Sequence, residues 1–272
     1  MQFSVLLSVY KKEKTEYLKM SLNSIRFQTL APDEVILIED GPLTKELYLV
    51  IEEYLKILPN MRVYKFDENQ GLGLALRKGM ELSKYELVAR MDTDDIAEPE
   101  RFKIQKDFME KNPHISVCGG LMREFDDRGI ISQVKNMPET QKEIWEYAKY
   151  RNPINHMTVM FRKADVLKAG NYRDFSFLED YDLWCRMLAK DYKFYNVQKV
   201  LVKARVSDEM YNRRGGIVYC RRYLRLRQMQ KEIGLLGFGE YVKACGVTIL
   251  ITLVPNMIRK LVYIKMLRKR NG

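Results

Sequence analysis

Two acidic runs hold most of the chemistry available to this 272-residue chain. In the first, the apolar run Leu87-Val88-Ala89-Arg90-Met91 leads straight into Asp92-Thr93-Asp94-Asp95, and Pro99 follows. Carboxylates packed that densely repel one another unless a cation or hydrogen-bond donors sit among them. A hard divalent ion with oxygen ligands would answer the repulsion. Asp94-Asp95 ahead of Pro99 and Glu100 fits the start of a helix equally well. In the second run, Glu179-Asp180 opens an apolar-periodic stretch with Leu183, Met187 and Leu188. There Asp180 reads either as a helix cap, with Asp182 complementing the helix dipole, or as a general base in a partly closed pocket. Tyr181 and Trp184 suit a sugar-stacking platform or plain core. His156, one of two histidines, follows Asn152 and Asn155 in a polar loop and reads as a site residue, whereas His114 beside Pro113 reads as exposed.

The elements that must position these groups alternate. Phe3 to Val9 is a compact apolar strand ending at Tyr10 and a charged turn, Lys11 to Lys14. Thr15 can cap a helix through Gln28, and Glu34 to Ile38 is a second strand closed by Glu39-Asp40-Gly41-Pro42. A helix over Thr44–Leu58, a strand over Arg62–Phe66, the polar loop Asp67 to Gly71 and a helix over Gly73–Leu82 lead to the acidic strand. Strands alternating with helices of this length predict an α/β fold, a mostly parallel sheet covered on both faces. Ligands of such sheets bind beyond the carboxyl ends of the strands. The polar residues fall there: Ser8 and Tyr10, Glu39 and Asp40, Asn69 and Gly71, Asp92 to Asp95. That convergence favours a site over a helix cap for the acidic run. Gly71-Leu72-Gly73 is not a dinucleotide fingerprint, because Leu76 stands where the third glycine is needed and the residues before it form a loop. The two glycines instead permit a tight turn and close approach of a phosphate or sugar.

Further along, the pattern predicts a helix over Glu98–Lys111, a short strand over Ile115–Gly120 and a strand pair within Met122–Val134. A helix capped by Thr140 through Lys149 follows, then a central strand at Met157 to Phe161. The four cysteines (Cys118, Cys185, Cys220 and Cys245) lack metal spacing, and no secretory signal precedes the first strand. Both point to a reducing cytosolic location.

Charge divides the chain. Of 47 basic and 36 acidic residues, 14 and 2 lie in 211–272, leaving 33 and 34 in the rest. The tail thus carries +12 and the remainder −1. Its basic residues are interleaved with aliphatic ones, which suits an anionic membrane surface better than nucleic acid. Arg213-Arg214, Arg221-Arg222, Arg225 and Arg227 lie on or before a helix beginning near Gly216. Val247, Leu250, Ile251 and Val254 continue an apolar stripe through Met257, Ile258, Leu261 and Val262 to Arg268-Lys269-Arg270. The apolar run from Val247 to Val254 falls short of the ~20 residues needed to cross a bilayer. The expected division is residues 1–210 as one domain and 211–272 as amphipathic, membrane-associating helices.

Taken in order, these motifs resemble the family 2 inverting glycosyltransferases with the GT-A fold. The resemblance is carried by Ser8-Val9-Tyr10, Glu39-Asp40-Gly41, Asn69-Gln70-Gly71-Leu72-Gly73, Asp92-Thr93-Asp94-Asp95, Pro99 with Arg101, and Glu179-Asp180, over residues 1–205. Asp92-Thr93-Asp94-Asp95-Ile96, Asn155-His156-Met157-Thr158-Val159, Glu179-Asp180-Tyr181-Asp182-Leu183-Trp184 and Val202-Lys203-Ala204-Arg205-Val206 are similar to the bacterial O-antigen and exopolysaccharide branch. The resemblance implies a UDP-hexose donor, with Ser8, Val9, Tyr10, Asp40, Asn69, Gly71, Asp92 and Thr93 around the nucleotide. It implies Asp94 as ligand of Mn²⁺ or Mg²⁺ and Asp180 as base. Asn155, His156, Glu179 and Trp184 would lie on the acceptor side. The implied acceptor is an undecaprenyl-diphosphate-linked sugar, and the implied location is the cytoplasmic face of a bacterial plasma membrane, without nucleic acid. Many members carry Asn where this chain has Arg77, and the QxxRW motif of processive synthases is absent, which argues for a single sugar addition. The competing classes are a sugar-nucleotide nucleotidyltransferase, for which no glycine-rich turn accompanies Lys11, Lys12 and Lys14, and a non-catalytic nucleotide-sugar-binding module.

Overall fold

A computed structural model of the chain describes residues 1–130, 134, 136–206 and 215–254. Its first half is the expected alternation. It runs β1 (Phe3–Val9), α1 (Thr15–Arg26), β2 (Glu34–Glu39), α2 (Lys45–Ile57), β3 (Met61–Lys65), α3 (Leu72–Leu82) and β4 (Leu87–Arg90). These strands lie in the order β3-β2-β1-β4 and pair in parallel, so their carboxyl ends share one edge. Successive residues of β1 and β2 point to opposite sides, as strand geometry requires. Phe3, Val5, Leu7, Val35 and Leu37 enter the core beneath α1 and α2, and Leu6, Ile36 and Ile38 enter the one beneath α3. Burial on both faces explains why these strands read as unbroken apolar runs.

The second half departs from the sequence pattern in direction and in length. After β5 (Ile96–Ala97) and α4 (Arg101–Lys111), one strand, β6, runs from Ile115 to Asp126 where two were expected. The expected strand ends at Gly119-Gly120, yet here the glycines permit packing and the strand runs on. A β-carbon at Gly119 would stand 2.1 Å from Asn196 Oδ1, and one at Gly120 2.3 Å from Leu201 Cδ1. The strand continues through register shifts around Leu121, and β7 (Gly129–Ile130) folds back on its end. The close of the predicted 122–134 pair lies outside the described residues. The predicted central strand at Met157–Phe161 begins instead as a 3₁₀ turn (His156–Thr158), and only β8 (Met160–Arg162) pairs, antiparallel to both β4 and β6. An apolar run reports burial, not direction.

Around these lie α5 (Gln141–Ala148), α6 (Lys163–Lys168), α7 (Glu179–Ala189), β9 (Lys193–Arg205), α8 (Ile217–Glu232) and α9 (Phe238–Leu253). The sheet closes in the order β4-β8-β6-β9-β5. Thr140 caps α5 in a full capping box, as predicted. Thr15 is instead the first residue of α1, with Lys14 at the cap position and no side-chain bond there. Part of the basic tail is built into the globule: Leu226 and Leu235 share a core with Trp184, and Arg227 is buried. Arg213-Arg214 and the segment from Met257 to Arg270 lie outside the described residues.

Candidate active site

The ends of β1, β2 and the loop before α3 form one interlocked unit. Asp40 is buried, and its carboxylate accepts from the backbone N–H of Gln70 (2.6 Å) and Gly71 (3.1 Å) and from Asn69 Nδ2 (2.9 Å). Burial pushes this carboxyl above the usual range against those three bonds. Gly41, at φ +84°, lets the two loops touch, since a β-carbon there would lie 2.6 Å from the Asn69 nitrogen. Val9 is wholly buried and offers only its carbonyl, which accepts from the Asp40 N–H at 2.8 Å. Ser8 is partly buried, and the Tyr10 ring stands 39% exposed at the rim. Asp40, Asn69 and Gly71 are thus brought together, with Asp40 holding the loop. Gly73 meets protein instead of open space: its β-carbon would lie 2.3 Å from the Arg173 carbonyl. The close approach expected of a phosphate there is made by the chain's own backbone.

The acidic end of β4 is organised by Arg90, which is 2% exposed and grips Asp92 with both terminal guanidinium nitrogens. Behind it, buried Arg101 donates to the Arg90 carbonyl at 2.6 Å. Burial and the Arg90 charge push Arg101 down to about 9. Thr93 is buried and donates to Glu13 at 2.5 Å. Asp95 accepts from the Arg205 backbone N–H at 2.7 Å, while its second oxygen is buried without a partner. Burial, then Asp92 and Glu13, push Asp94 up to about 7, and burial with Asp92 and Asp94 pushes Asp95 well above its usual range. Four carboxylates (Glu13, Asp92, Asp94 and Asp95) therefore crowd one strand end, with Arg90 paired to Asp92 and the Arg205 guanidinium bonded to the Asp94 carbonyl at 3.2 Å and to Asp127 at 2.6 Å. That imbalance fits a cation beside Asp94. Among the described residues no three His, Cys, Asp or Glu side chains converge to hold an ion unaided. An ion completed by phosphate oxygens, as Mg²⁺ prefers, needs only one or two carboxylates.

The second acidic run lies at the start of α7. Leu178 takes the cap position, so Asp180 stands one residue inside the helix and does not cap it. Its carboxylate accepts from Asn152 Nδ2 at 2.5 Å and from the Tyr181 N–H at 2.7 Å. Burial raises the Asp180 carboxyl, opposed by the Asn152 bond, the Tyr181 N–H and the Arg90 charge. Burial and Asp180 push Glu179 up to about 7, and one Glu179 oxygen is buried without a partner. Asp182 is paired with Arg186 at 2.8 Å inside the core, beyond the dipole role expected of it. The Arg90 charge acts on Asp94, Asp95, Glu179 and Asp180 alike, so the two acidic runs share one electrostatic centre.

His156 is buried with Nε2 2.8 Å from the Tyr172 hydroxyl. Burial and Arg90 hold its imidazole well below the usual range, which leaves it neutral. Asn155 donates to the Gly120 carbonyl at 3.0 Å and shapes the loop. Trp184 is 0% exposed and packs edge-on against His156 and Phe194, so its faces are covered by protein. Arg77 bonds the Tyr172 carbonyl at 3.3 Å and pairs with Glu81. Glu13 and Asn152 carried no assignment from sequence, since one sits in a lysine-rich turn and the other in a generic polar loop. Nothing in their spacing marks them. Arg90 and Arg205 stood within motif runs without a role.

Residues 4–167 match the family described as Glycosyl transferase family 2. The amylovoran biosynthesis glycosyltransferase AmsE of Erwinia amylovora is 39% identical over 236 residues, 87% of this chain and 88% of that protein. An Escherichia coli UDP-Gal:alpha-D-GlcNAc-diphosphoundecaprenol beta-1,3-galactosyltransferase is 35% identical over 98% of this chain and 97% of its own length. Among solved structures, residues 1–349 of S. aureus TarS in complex with UDP-GlcNAc superpose with a TM-score of 0.70 at 18% identity. That superposition covers 92% of this chain and 72% of that one, and shows a shared GT-A fold. Motif order, fold and whole-length relatives agree: this chain belongs to glycosyltransferase family 2.

Proposed function

We propose that the protein transfers a hexose, galactose or glucose, from a UDP-sugar to a hydroxyl of a lipid-diphosphate-linked N-acetylglucosamine, forming a β-1,3 linkage with inversion. The setting is bacterial O-antigen or exopolysaccharide assembly, at the cytoplasmic face of the plasma membrane. The similarity to the galactosyltransferase over nearly the full length of both chains supports the donor and acceptor classes. The observation that supports the reaction type is the placement of two acidic runs, Asp92 to Asp95 and Glu179-Asp180, in the field of the one buried Arg90.

On the donor side, the Asp40-held loop, the Tyr10 ring and Asp92 frame the uridine. Asp94 would hold Mn²⁺ or Mg²⁺, which supplies positive charge to the leaving diphosphate. On the acceptor side, Asp180 takes the proton of the attacking hydroxyl as its oxygen bonds the anomeric carbon and UDP departs from the opposite face. Asn152 keeps the Asp180 oxygens oriented and favours the ionised form. Glu179, pushed up to about 7, is poised to donate a hydrogen bond to a bound sugar.

The test is UDP release from candidate UDP-sugars, with and without lipid-diphosphate N-acetylglucosamine, after EDTA treatment and after Mn²⁺ is restored. The expected result is acceptor-dependent, metal-restored release. Asp180→Asn should lower turnover by about 10²–10⁴-fold while UDP binding persists. Undiminished turnover in that variant removes Asp180 as the base.

A further inference from the structure

Helix α9 is folded inside out. It turns Ala244, Thr248 and Thr252 toward the protein, all buried, with Thr248 accepting from Arg227 Nε at 3.4 Å. Its opposite side carries Phe238, Val242, Ile249, Leu250 and Leu253, whose exposures run from 42% at Ile249 to 72% at Phe238. A surface helix of a soluble domain normally does the reverse. The 16-residue helix is about 24 Å long. Among the described residues no helix is long and apolar enough to cross a membrane.

Three observations say what covers this face. The first is charge: residues 215–254 hold six basic residues (Arg221, Arg222, Arg225, Arg227, Lys231 and Lys243) and two acidic ones. Both acids, Glu232 and Glu240, are described. Glu240 is paired with Lys149 at 3.0 Å, which offsets its charge, while Lys243 is exposed with its ammonium 5.8 Å over the Tyr150 ring. Two copies meeting through this face would bring like charge together, while an anionic surface would complement it. The second is continuity. The Gly216 N–H bonds the Thr252 carbonyl at 3.0 Å, so the end of α9 abuts the start of α8, where Ile217 and Val218 are each 62% exposed. The third is direction. Tyr219 of α8 packs on Phe177 at 6.4 Å, and Arg222 lies 5.1 Å over the same ring. Phe177 is half exposed at φ +71°, an uncommon conformation for a bulky residue, and precedes Glu179 by two positions. The apolar face thus runs from α9 to the acceptor half of the site.

We propose that the exposed face of α9, with Ile217 and Val218, lies in the headgroup layer of an anionic bilayer and presents the Phe177 edge to an acceptor anchored there. This rests on the lipid-linked acceptor proposed above and names the surface that meets its membrane. The full chain and its Leu250→Glu/Leu253→Glu variant are compared by sedimentation with phosphatidylcholine vesicles, with and without phosphatidylglycerol. A Lys243→Glu variant is run beside them. Wild type should bind the anionic vesicles preferentially, and the double variant should lose binding by about tenfold or more. Lys243→Glu should weaken binding to anionic vesicles only, with melting temperatures unchanged in both. Transfer to a vesicle-embedded acceptor should fall with binding, while transfer to a short-chain water-soluble acceptor stays within about twofold of wild type. Vesicle binding that survives the double substitution overturns the proposal. So does a wild-type dimer that the substitution dissociates without changing vesicle binding. A wild type inactive on the soluble acceptor would count against the proposed reaction alone, because sedimentation still decides the docking face.

Discussion

At the residue scale, the candidate base is governed by a neighbour that sequence could not nominate. Asp180 accepts from Asn152 at 2.5 Å, and that bond opposes the rise that burial imposes on its carboxyl. A carboxyl that must be ionised to work, with its pKa raised in the folded protein, gives activity that falls as pH drops through that raised value. Asn152→Ala removes a stabiliser of the ionised form, so the acidic limb of kcat/KM should move to higher pH. UDP affinity should not change. A limb that stays in place, or moves to lower pH, would show that Asn152 serves the loop alone. Asp180 was legible as a candidate because a carboxylate pair beside an apolar helix is a recognisable pattern, with its role open between cap and base. Asn152 and Glu13 were not, because each acts across a fold contact, over 28 residues to Asp180 and 80 residues to Thr93. Trp184 shows the converse: an aromatic near the site is as easily core as platform, and here its faces are covered.

At the element scale, β1, β2 and β4 were legible because strands buried on both faces read as unbroken apolar runs, and β3, half exposed at the sheet edge, by its place in the alternation with helices. The closing half was not. Gly119-Gly120 carries the signature of a turn, and only the side chains of Asn196 and Leu201 reveal that glycine is there for packing. Gly73 teaches the same lesson with a measurable consequence. It brings the N-terminal turn of α3 against the Arg173 carbonyl, and so ties the donor-side loop to the segment leading to Glu179 and Asp180. Gly73→Ala forces the two apart, because backbone cannot yield as a side-chain tip can. The expected cost is about 1–3 kcal/mol in urea unfolding, with a fall in turnover larger than the stability loss explains. Unaltered unfolding and turnover would mean the loop relaxes freely and carries no coupling between the halves.

At the scale of the whole molecule, net charge marked the last quarter of the chain as different, but charge says nothing about what a helix packs against. Arg227 is one of the arginines that composition assigns to an anionic partner. In the fold it is buried and donates to the carbonyls of Lys149 at 2.9 Å and Tyr150 at 2.8 Å. Beside it Leu226 is fully buried, in one core cluster with Tyr181 and Trp184. Helix α8 therefore completes the wall behind Asp180 before it can do anything at a membrane. Arg227→Met should cost about 1.5–3 kcal/mol, since it leaves buried carbonyls without their charged donor. A chain ended after Asp208 should lose its cooperative thermal transition and bind a hydrophobic dye, because Tyr181 and Cys185 lose their α8 partners Tyr223, Arg227 and Gln230. Leu250→Glu/Leu253→Glu should do neither, being confined to the outer face of α9. A shortened chain that melts cooperatively with wild-type turnover on a soluble acceptor would show that the globule closes without α8.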